Sequence, residues 1–435
     1  MIHDRPLRRV VFATLGSLGD LIPYMTLARE LRRRGYATAI VTNSEHRRLV
    51  ESAGLEWRLM RPETPADIPD LYEKVFDPRT GPEFALRRLL FPAIRDTYTD
   101  LSAAVGDADL MVSNVVIFAA PLVAAKSGVP WASSMLAPSA FFSAFDPPEL
   151  SMLPAFATRL SRSSPVFGRA FRAFLSAMTW RWSEPVRAFR REIGLPPGAN
   201  PMFNGPHSPL LVLAMFSRML GASQPDWPPA ARITGFPFND GVEVDRPPVP
   251  GLDDFLAAGT PPLVFTLGSA IVKAARGFYV ESFKAARTLG RRALLIVGSD
   301  PRNRDGFPDP LPEWAMAVDY VPHADVFPRA AAIVHPSGIG TLAQALRAGN
   351  PQLVVPFCFD QPDNAARAVR LGVADVLPPE RYTADTAAAA LQRLLGDPLV
   401  HRRAAEVAAA IRAENGVAAA CDVIEGVITE TGACQ

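Results

Sequence analysis

The sequence predicts an α/β protein of two Rossmann-like halves whose parallel sheets face one another across a cleft. Three observations carry this expectation. Short apolar runs alternate with amphipathic helical segments in both halves of the 435 residues, which is the pattern of βαβ units. A passage dense in Pro and Gly, QPDWPPAARITGFPFNDGVEVDRPPVPG at 224–251, breaks that rhythm midway and cannot be continuous helix or central strand. The tetrapeptide TLGS occurs at 14–17 and again at 266–269, each time directly after an apolar run. It marks the equivalent first turn of each half.

In the first half, RVVFATL reads as a buried strand. A helix PYMTLARELRRRG with a glycine stop follows, then strand ATAIVT and helix SEHRRLVESAG with a second glycine stop. The unit recurs as DLMVSNV, APLVAAKSGVP and WASSML. A less regular region rich in Phe, Arg, Pro and Trp occupies 141–205. In the second half the rhythm restarts with PLVFTLGS, helix GFYVESFKAARTLG, and strands RALLIVGS, AMAVDYV and AAIVHPS. Helix GTLAQALRAG, strand PQLVVPF and helix PDNAARAVRLG complete it. The expected division is a first domain over 1–235, a linker over 236–258, a second domain over 259–415, and a final helix over 416–435 that packs back on the first domain.

Composition narrows the function classes. Lys+Arg 45 against Asp+Glu 44 gives a net charge of +1, which argues against sequence-independent binding to a polyanion; no nucleic-acid motif is present. Cys358, Cys421 and Cys434 show no CxxC spacing, so neither a disulfide framework nor a zinc site is expected, and a reducing cytoplasm fits. The first apolar run is too short for a secretory core. The longest, at 110–125, is interrupted by Ser113, Asn114 and Pro121 and is shorter than the ~18 residues of a membrane span. A cytoplasmic protein, at most peripheral at a membrane surface, is expected.

The densest chemical signal is VHPSGIGTLAQALRAGNPQLVVPFCFDQPDN at 334–364. A strand ends at His335, a glycine-containing turn follows, and a helix begins near Thr341. The unpaired N–H groups and dipole of a helix start attract phosphate oxygens, and His335, Ser337 or Thr341 would add donors. No Lys follows, so this is not a Walker A loop, and the turn alone is also an ordinary βα connection. The next strand ends at FDQPDN and places Asp360 and Gln361 on the same sheet edge. A carboxylate beside an amide accepts and donates hydrogen bonds to a polyhydroxyl ligand, although Asp360 alone also reads as a helix N-cap. Phosphate and sugar recognition side by side indicate a nucleotide sugar.

HPSGIGT, GNPQLVVPF and DQPDNA resemble the nucleotide-sugar signature of the family 1 glycosyltransferases, which have GT-B architecture. QPDWPPAARITGFPFNDG, PLVFTLGS and FATLGSLGD resemble the B-component rhamnosyltransferases of rhamnolipid synthesis, and less closely the sterol and antibiotic glycosyltransferases. The resemblance implies an inverting transfer without metal or cofactor, the nucleotide sugar being a co-substrate held by the second half and the acceptor by the first. It assigns the diphosphate to Ser269, His335, Ser337, Gly338, Gly340 and Thr341, and the sugar hydroxyls to Asp360 and Gln361. In DYVPHADVF, Tyr320 would stack on the pyrimidine and the Val321 backbone would read its edge. Asp20 becomes the general base, because bacterial relatives place an acid in this Gly-Ser-x-Gly-Asp turn. Its local alternative is an N-cap for a helix beginning near Pro23. A second acid often found in the family is Asn114 here.

For the acceptor, Gly16 and Ser17 belong to the acid turn, and SSMLAPSAFFSAFDPP at 133–148 supplies Met135, Phe141, Phe142 and Phe145. Clustered Phe in a loop either faces a greasy ligand or packs the core. Residues 151–192 hold eight arginines against two glutamates, with Phe167, Phe171, Phe174 and Met178 at helical spacing. Such a helix either rests on an anionic membrane or covers the cleft with a solvated Arg face. The expected reaction moves L-rhamnose from dTDP-rhamnose to a lipid-like hydroxyl such as a hydroxy fatty acid. The alternatives are UDP-glucose transfer to a sterol or polyketide, a nucleotide-sugar 2-epimerase, and a non-catalytic nucleotide-sugar-binding protein.

Overall fold

The computed structural model describes residues 7–68, 70–203, 205–239, 249–275 and 277–433. The middle of the expected linker, 240–248, and the last two residues lie outside the described residues. The first sheet contains β1 (Arg9–Ala13), β2 (Ala37–Thr42), β3 (Glu56–Leu59), β4 (Leu110–Asn114), β5 (Trp131–Met135), β6 (Leu211–Ala214) and β7 (Ala231–Ile233). The second contains β8 (Leu263–Thr266), β9 (Ala293–Ile296), β10 (Ala315–Val318), β11 (Ala332–His335), β12 (Gln352–Val354) and β13 (Ala374–Val376). Their orders are 3-2-1-4-5-6-7 and 10-9-8-11-12-13, with parallel pairing throughout.

These orders explain the repeated TLGS. In each sheet the strand it follows, β1 or β8, lies where the strand order reverses, and the crevice beyond the carboxyl ends at such a switch point is where ligands bind. The central strands read as continuous apolar runs because both faces are covered. Val10 and Phe12 pack into one core layer, whereas Val11 and Ala13 pack into the layer on the opposite face.

Helix α1 (Leu18–Arg33) begins earlier than Pro23 suggests. Ser17 is its N-cap and Asp20 its third residue, and the two form a reciprocal capping box that sets the start upstream of the proline. Other helices that matter to function are α2 (Ala155–Ser161), α3 (Pro165–Thr179), α4 (Ile339–Ala348), α5 (Gln361–Arg370) and α6 (Gly416–Ala433). Helix α6 returns to the first domain. Ala420, Cys421, Ile424 and Ile428 are buried in the core layer that holds Leu27 and Leu31 of α1, and Arg34 pairs with Asp422 at 2.6 Å. No helix among the described residues is long and apolar enough to cross a membrane.

Candidate active site

The turn after β1 is built around one carboxylate. Asp20 Oδ2 accepts hydrogen bonds from the Ser17 backbone N–H at 2.9 Å and from Ser17 Oγ at 3.1 Å, while Ser17 Oγ accepts from Gly19 N–H at 3.2 Å. Gly16 has φ +129°, and a Cβ there would lie 2.4 Å from Asp20 Oδ2, so the close approach of turn and acid requires glycine. His46 Nε2 bonds the Gly16 carbonyl at 2.9 Å and fixes the turn from outside. The capping reading of Asp20 therefore holds, with its position corrected from N-cap to third residue. Oδ2 does the capping, and among the described residues Oδ1 has no protein hydrogen-bond partner. Burial raises the Asp20 pKa, opposed by the two bonds from Ser17. A carboxylate with a raised pKa and an uncommitted oxygen has the chemistry to accept a proton.

The turn after β11 is organised differently from expectation. His335 is fully buried; its Nδ1 accepts from the Ser337 N–H at 3.1 Å, so the proton is on Nε2, which bonds Gln352 Oε1 at 2.9 Å. Burial pushes its pKa down to about 4. This corrects the assignment of His335 as a diphosphate donor: both ring nitrogens are engaged inside the domain, and the neutral ring shapes the loop. Ser337 is corrected in the same sense. It is buried at φ +62°, and its hydroxyl donates to the Gln361 carbonyl at 2.7 Å, tying this loop to the start of α5.

The other residues expected at the diphosphate lie close to one another. Gly338 caps α4. A Cβ on Gly340 would lie 3.7 Å from Gly19 Cα, so the N-termini of α4 and α1 meet across the cleft. A Cβ on Gly268 would lie 3.3 Å from Thr341 Oγ1, which brings the second TLGS, with Ser269 in its helical turn, against the same helix start. Asp360 precedes α5, and its Oδ2 accepts from Asn364 Nδ2 at 2.6 Å. Gln361 is buried and its Oε1 accepts from Phe357 N–H at 2.9 Å. The Asp360 pKa is pushed up to about 7, by burial first and by the charge of Asp20 second. The two carboxylates, one from each domain, thus share one electrostatic environment.

At the end of β10, Tyr320 is half-buried and Val321 is packed into the core of the second domain. Close by, His323 stacks on Phe327 with centroids 4.4 Å apart. Burial, and the nearby His335, push its pKa down to about 4. The segment DYVPHADVF contains this histidine, but its spacing carries no signal of that proximity.

On the acceptor side two expectations are corrected. Met135 is fully buried and Phe141 is sandwiched in the core, stacked on Trp227 at 3.9 Å between centroids, so neither faces an open cleft. Phe142 packs on Phe203 at 4.7 Å. Phe145 is the exposed one, beside the Arg169 guanidinium. Gly16 and Ser17 stay accessible beside Asp20.

The same loop reveals contacts that sequence reasoning missed. Arg367 of α5 bonds Asp363 Oδ2 through Nε at 2.6 Å and Asp146 Oδ2 through its terminal nitrogen at 2.7 Å. Asp363 Oδ1 accepts from the Glu149 backbone N–H at 3.1 Å and from Arg162 at 3.2 Å, and Arg162 also pairs with Glu149 at 2.7 Å. Asp363 and Arg367 are 0% and 3% exposed. One helix therefore carries Asp360 just before its start and clamps the 146–149 loop one turn later. A cavity of about 1220 Å³ opens at the far end of α1, between Arg33 and Phe238, and contains none of these groups. Among the described residues no cluster of three or more His, Cys, Asp or Glu is arranged to hold a metal.

Two parallel-sheet domains meeting at their switch points, with helix N-termini and an acid facing one another across the cleft, form the GT-B architecture. Comparison with known proteins carries this to a family. Residues 10–129 match the glycosyltransferase family 28 N-terminal domain, and residues 293–423 match the erythromycin biosynthesis protein CIII-like C-terminal domain. The chain is 34% identical to O-mycaminosyltylonolide 6-deoxyallosyltransferase of Streptomyces fradiae over 96% of its length and 97% of that protein's. It is 26% identical to sterol 3-beta-glucosyltransferase of Komagataella phaffii, over 96% of this chain and 34% of that one. Spinosyn rhamnosyltransferase SpnG superposes with a TM-score of 0.68 at 17% identity, covering 96% of this chain and 100% of that one. Glycosyltransferase VinC, in complex with dTDP, superposes with a TM-score of 0.64 at 20% identity, covering 97% and 100%. The chain belongs to the family 1 GT-B glycosyltransferases, of the antibiotic and natural-product type.

Proposed function

We propose that this chain transfers a 6-deoxyhexose from a dTDP-sugar to a hydroxyl of an apolar natural product, with inversion and without metal. The observation that carries the reading is Asp20. It is held through Oδ2, keeps Oδ1 free, and lies where the N-termini of α1 and α4 meet opposite Asp360. In the proposed step the acceptor oxygen attacks the anomeric carbon as the bond from that carbon to the diphosphate oxygen breaks. The transition state is oxocarbenium-like, as in glycoside hydrolysis. The hydroxyl proton passes to Asp20 Oδ1, and the nucleoside diphosphate departs with its charge stabilised by the N–H groups at the start of α4. Asp360 and Gln361 hold sugar hydroxyls, and Tyr320 stacks on the base.

The dTDP-deoxysugar assignment is supported by the 6-deoxyallosyl relative and by the likeness to VinC and SpnG. The transfer of rhamnose to a hydroxy fatty acid expected from the motifs is one member of this class. The glucosyltransferase alternative, with a sterol, polyketide or other apolar acceptor, draws on the sterol enzyme.

Nucleoside diphosphate release tests the reading, using dTDP- and UDP-sugars paired with macrolide aglycones, hydroxy fatty acids and sterols in EDTA. Activity abolished by EDTA overturns the metal-free step, and acceptor-independent conversion of the donor indicates an epimerase. Asp20→Asn keeps an acceptor for the Ser17 N–H, so the turn survives; turnover is expected to fall roughly 10²–10⁴-fold with dTDP affinity unchanged. Turnover within threefold of the parent removes Asp20 as the base.

A further inference from the structure

The outer surface of the acceptor domain has a face that the catalytic reading does not use. Helix α3 packs inward through Gly168, Leu175 and Thr179. Gly168 sits so close that a Cβ would lie 1.9 Å from the Ala144 carbonyl oxygen, which seats the helix directly on the acceptor loop. Val166, Ala170, Ala173, Phe174 and Ala177 are all exposed. They fall within a sector of ~100° at 3.6 residues per turn, so the solvent side of this helix is apolar. Val166 is 67% and Phe174 55% exposed, and Trp180, just past the helix end, is 42% exposed. The packed neighbour α2 exposes Phe156 and Leu160, four residues apart. Large exposed apolar side chains scattered singly are ordinary, but a run of them along one helix face marks a contact surface.

The charge around this face selects its occupant. Residues 150–183 contain no Asp or Glu, and five arginines. Of these, Arg159, Arg169 and Arg181 are exposed and form no ion pair among the described residues, whereas Arg162 is held by Glu149 and Asp363. A second copy meeting this face about a two-fold axis would set the same arginines opposite one another, which like-charge repulsion opposes. An apolar stripe of Phe, Leu and Val with Trp at its end and arginine at its rim matches a helix lying in the headgroup boundary of an anionic bilayer.

We propose that α2 and α3 form a membrane-docking face that seats the enzyme on anionic lipid, with the acceptor loop at its edge. Phe145 of that loop lies under Arg169 of α3, and the loop's next residues, Asp146 and Glu149, contact α5 one turn from Asp360, so the docked face adjoins the loop expected at the acceptor. An apolar acceptor dissolved in the bilayer then reaches Asp20 without crossing bulk water. This rests on the acceptor being apolar, as proposed above, but its test does not depend on turnover.

The test is co-sedimentation of the full chain with vesicles of phosphatidylcholine alone or with about one third phosphatidylglycerol, at low and at 0.5 M salt. Binding to the anionic vesicles is expected, at least tenfold stronger than to neutral ones and weakened by salt, because the Debye length is ~10 Å at 0.1 M and shrinks as salt rises. Phe174→Glu and Val166→Glu, on the solvent side of α3, should each reduce that binding at least tenfold with dTDP affinity unchanged. No binding to anionic vesicles at low salt, or equal binding by the two variants, overturns the proposal. A dimer in sedimentation velocity that Phe174→Glu dissociates assigns the face to a second copy and overturns it too. Loss of transferase activity with vesicle binding intact would fault the reading of function and leave the docking face standing.

Discussion

Replacing Arg367 with methionine removes the hub of the buried clamp between α5 and the 146–149 loop while keeping most of its volume. Asp363, fully buried, would lose its 2.6 Å partner and keep only the Glu149 N–H at 3.1 Å and Arg162 at 3.2 Å. Breaking a buried ion pair from one side costs about 3–5 kcal/mol, and the two surviving contacts place this case near 3. For a domain of this size that corresponds to a fall in melting temperature of roughly 6–12 °C. Asp146→Asn, on the partly exposed side of the same arginine, should cost about 1 kcal/mol or less. The double variant Asp363→Leu with Arg367→Met removes both charges together and should be less destabilised than Arg367→Met alone, because no uncompensated buried carboxylate is left. Urea denaturation of these three variants and of Asp363→Leu alone measures these values. A loss below about 1 kcal/mol in Arg367→Met, or a double variant as damaged as the sum of its singles, would show that the clamp is not a coupled buried unit.

Three further predictions concern the site. Gly16→Ala forces a Cβ against Asp20 Oδ2 and should displace the carboxylate by about 1 Å, lowering turnover about 10²-fold while dTDP affinity, measured by calorimetry, is unchanged. Asp360 has a folded-state pKa of about 7 against about 4 unfolded, so its favourable contribution is complete at low pH and is lost as pH rises through 7. Asp360→Asn should therefore gain stability relative to the parent between pH 5 and 8 in thermal melts, and a pH-independent difference would refute the shift. His335, held near pKa 4 by burial, should show no imidazole titration by NMR between pH 5 and 8.

The strands were legible in the sequence because a parallel sheet covered on both faces leaves continuous apolar runs, and β1, β4, β8 and β11 all lie within the segments read as strands. The start of α1 was less legible. Pro23 drew the boundary toward itself, although Ser17 and Asp20 form a capping box spaced three apart within SLGD. The turn around Asp20 and the start of α4 were legible because local turn residues announce them. The bonding of His335 was not, since its partner Gln352 lies on the next strand, 17 residues away. Neither was the clamp: Asp363 and the Glu149 N–H are 214 positions apart, and only the meeting of the two domains joins them. The fate of Phe141, Phe142 and Phe145 was likewise set by tertiary packing. Nothing in three similar side chains tells which one Trp227 will stack on.

The return of α6 has a consequence for anyone recombining these enzymes. A donor domain exchanged at the Pro-rich linker would carry away Ala420, Cys421, Ile424 and Ile428, which fill the seam along α1. Cys421 lies 394 residues from the Leu27 carbonyl it touches. The helix that presents Asp20 would then have an open apolar flank, and a chimera could fail for reasons unrelated to sugar recognition. A viable graft has two crossover points, one in the linker and one before Gly416, so that the last helix travels with the first domain, which it completes.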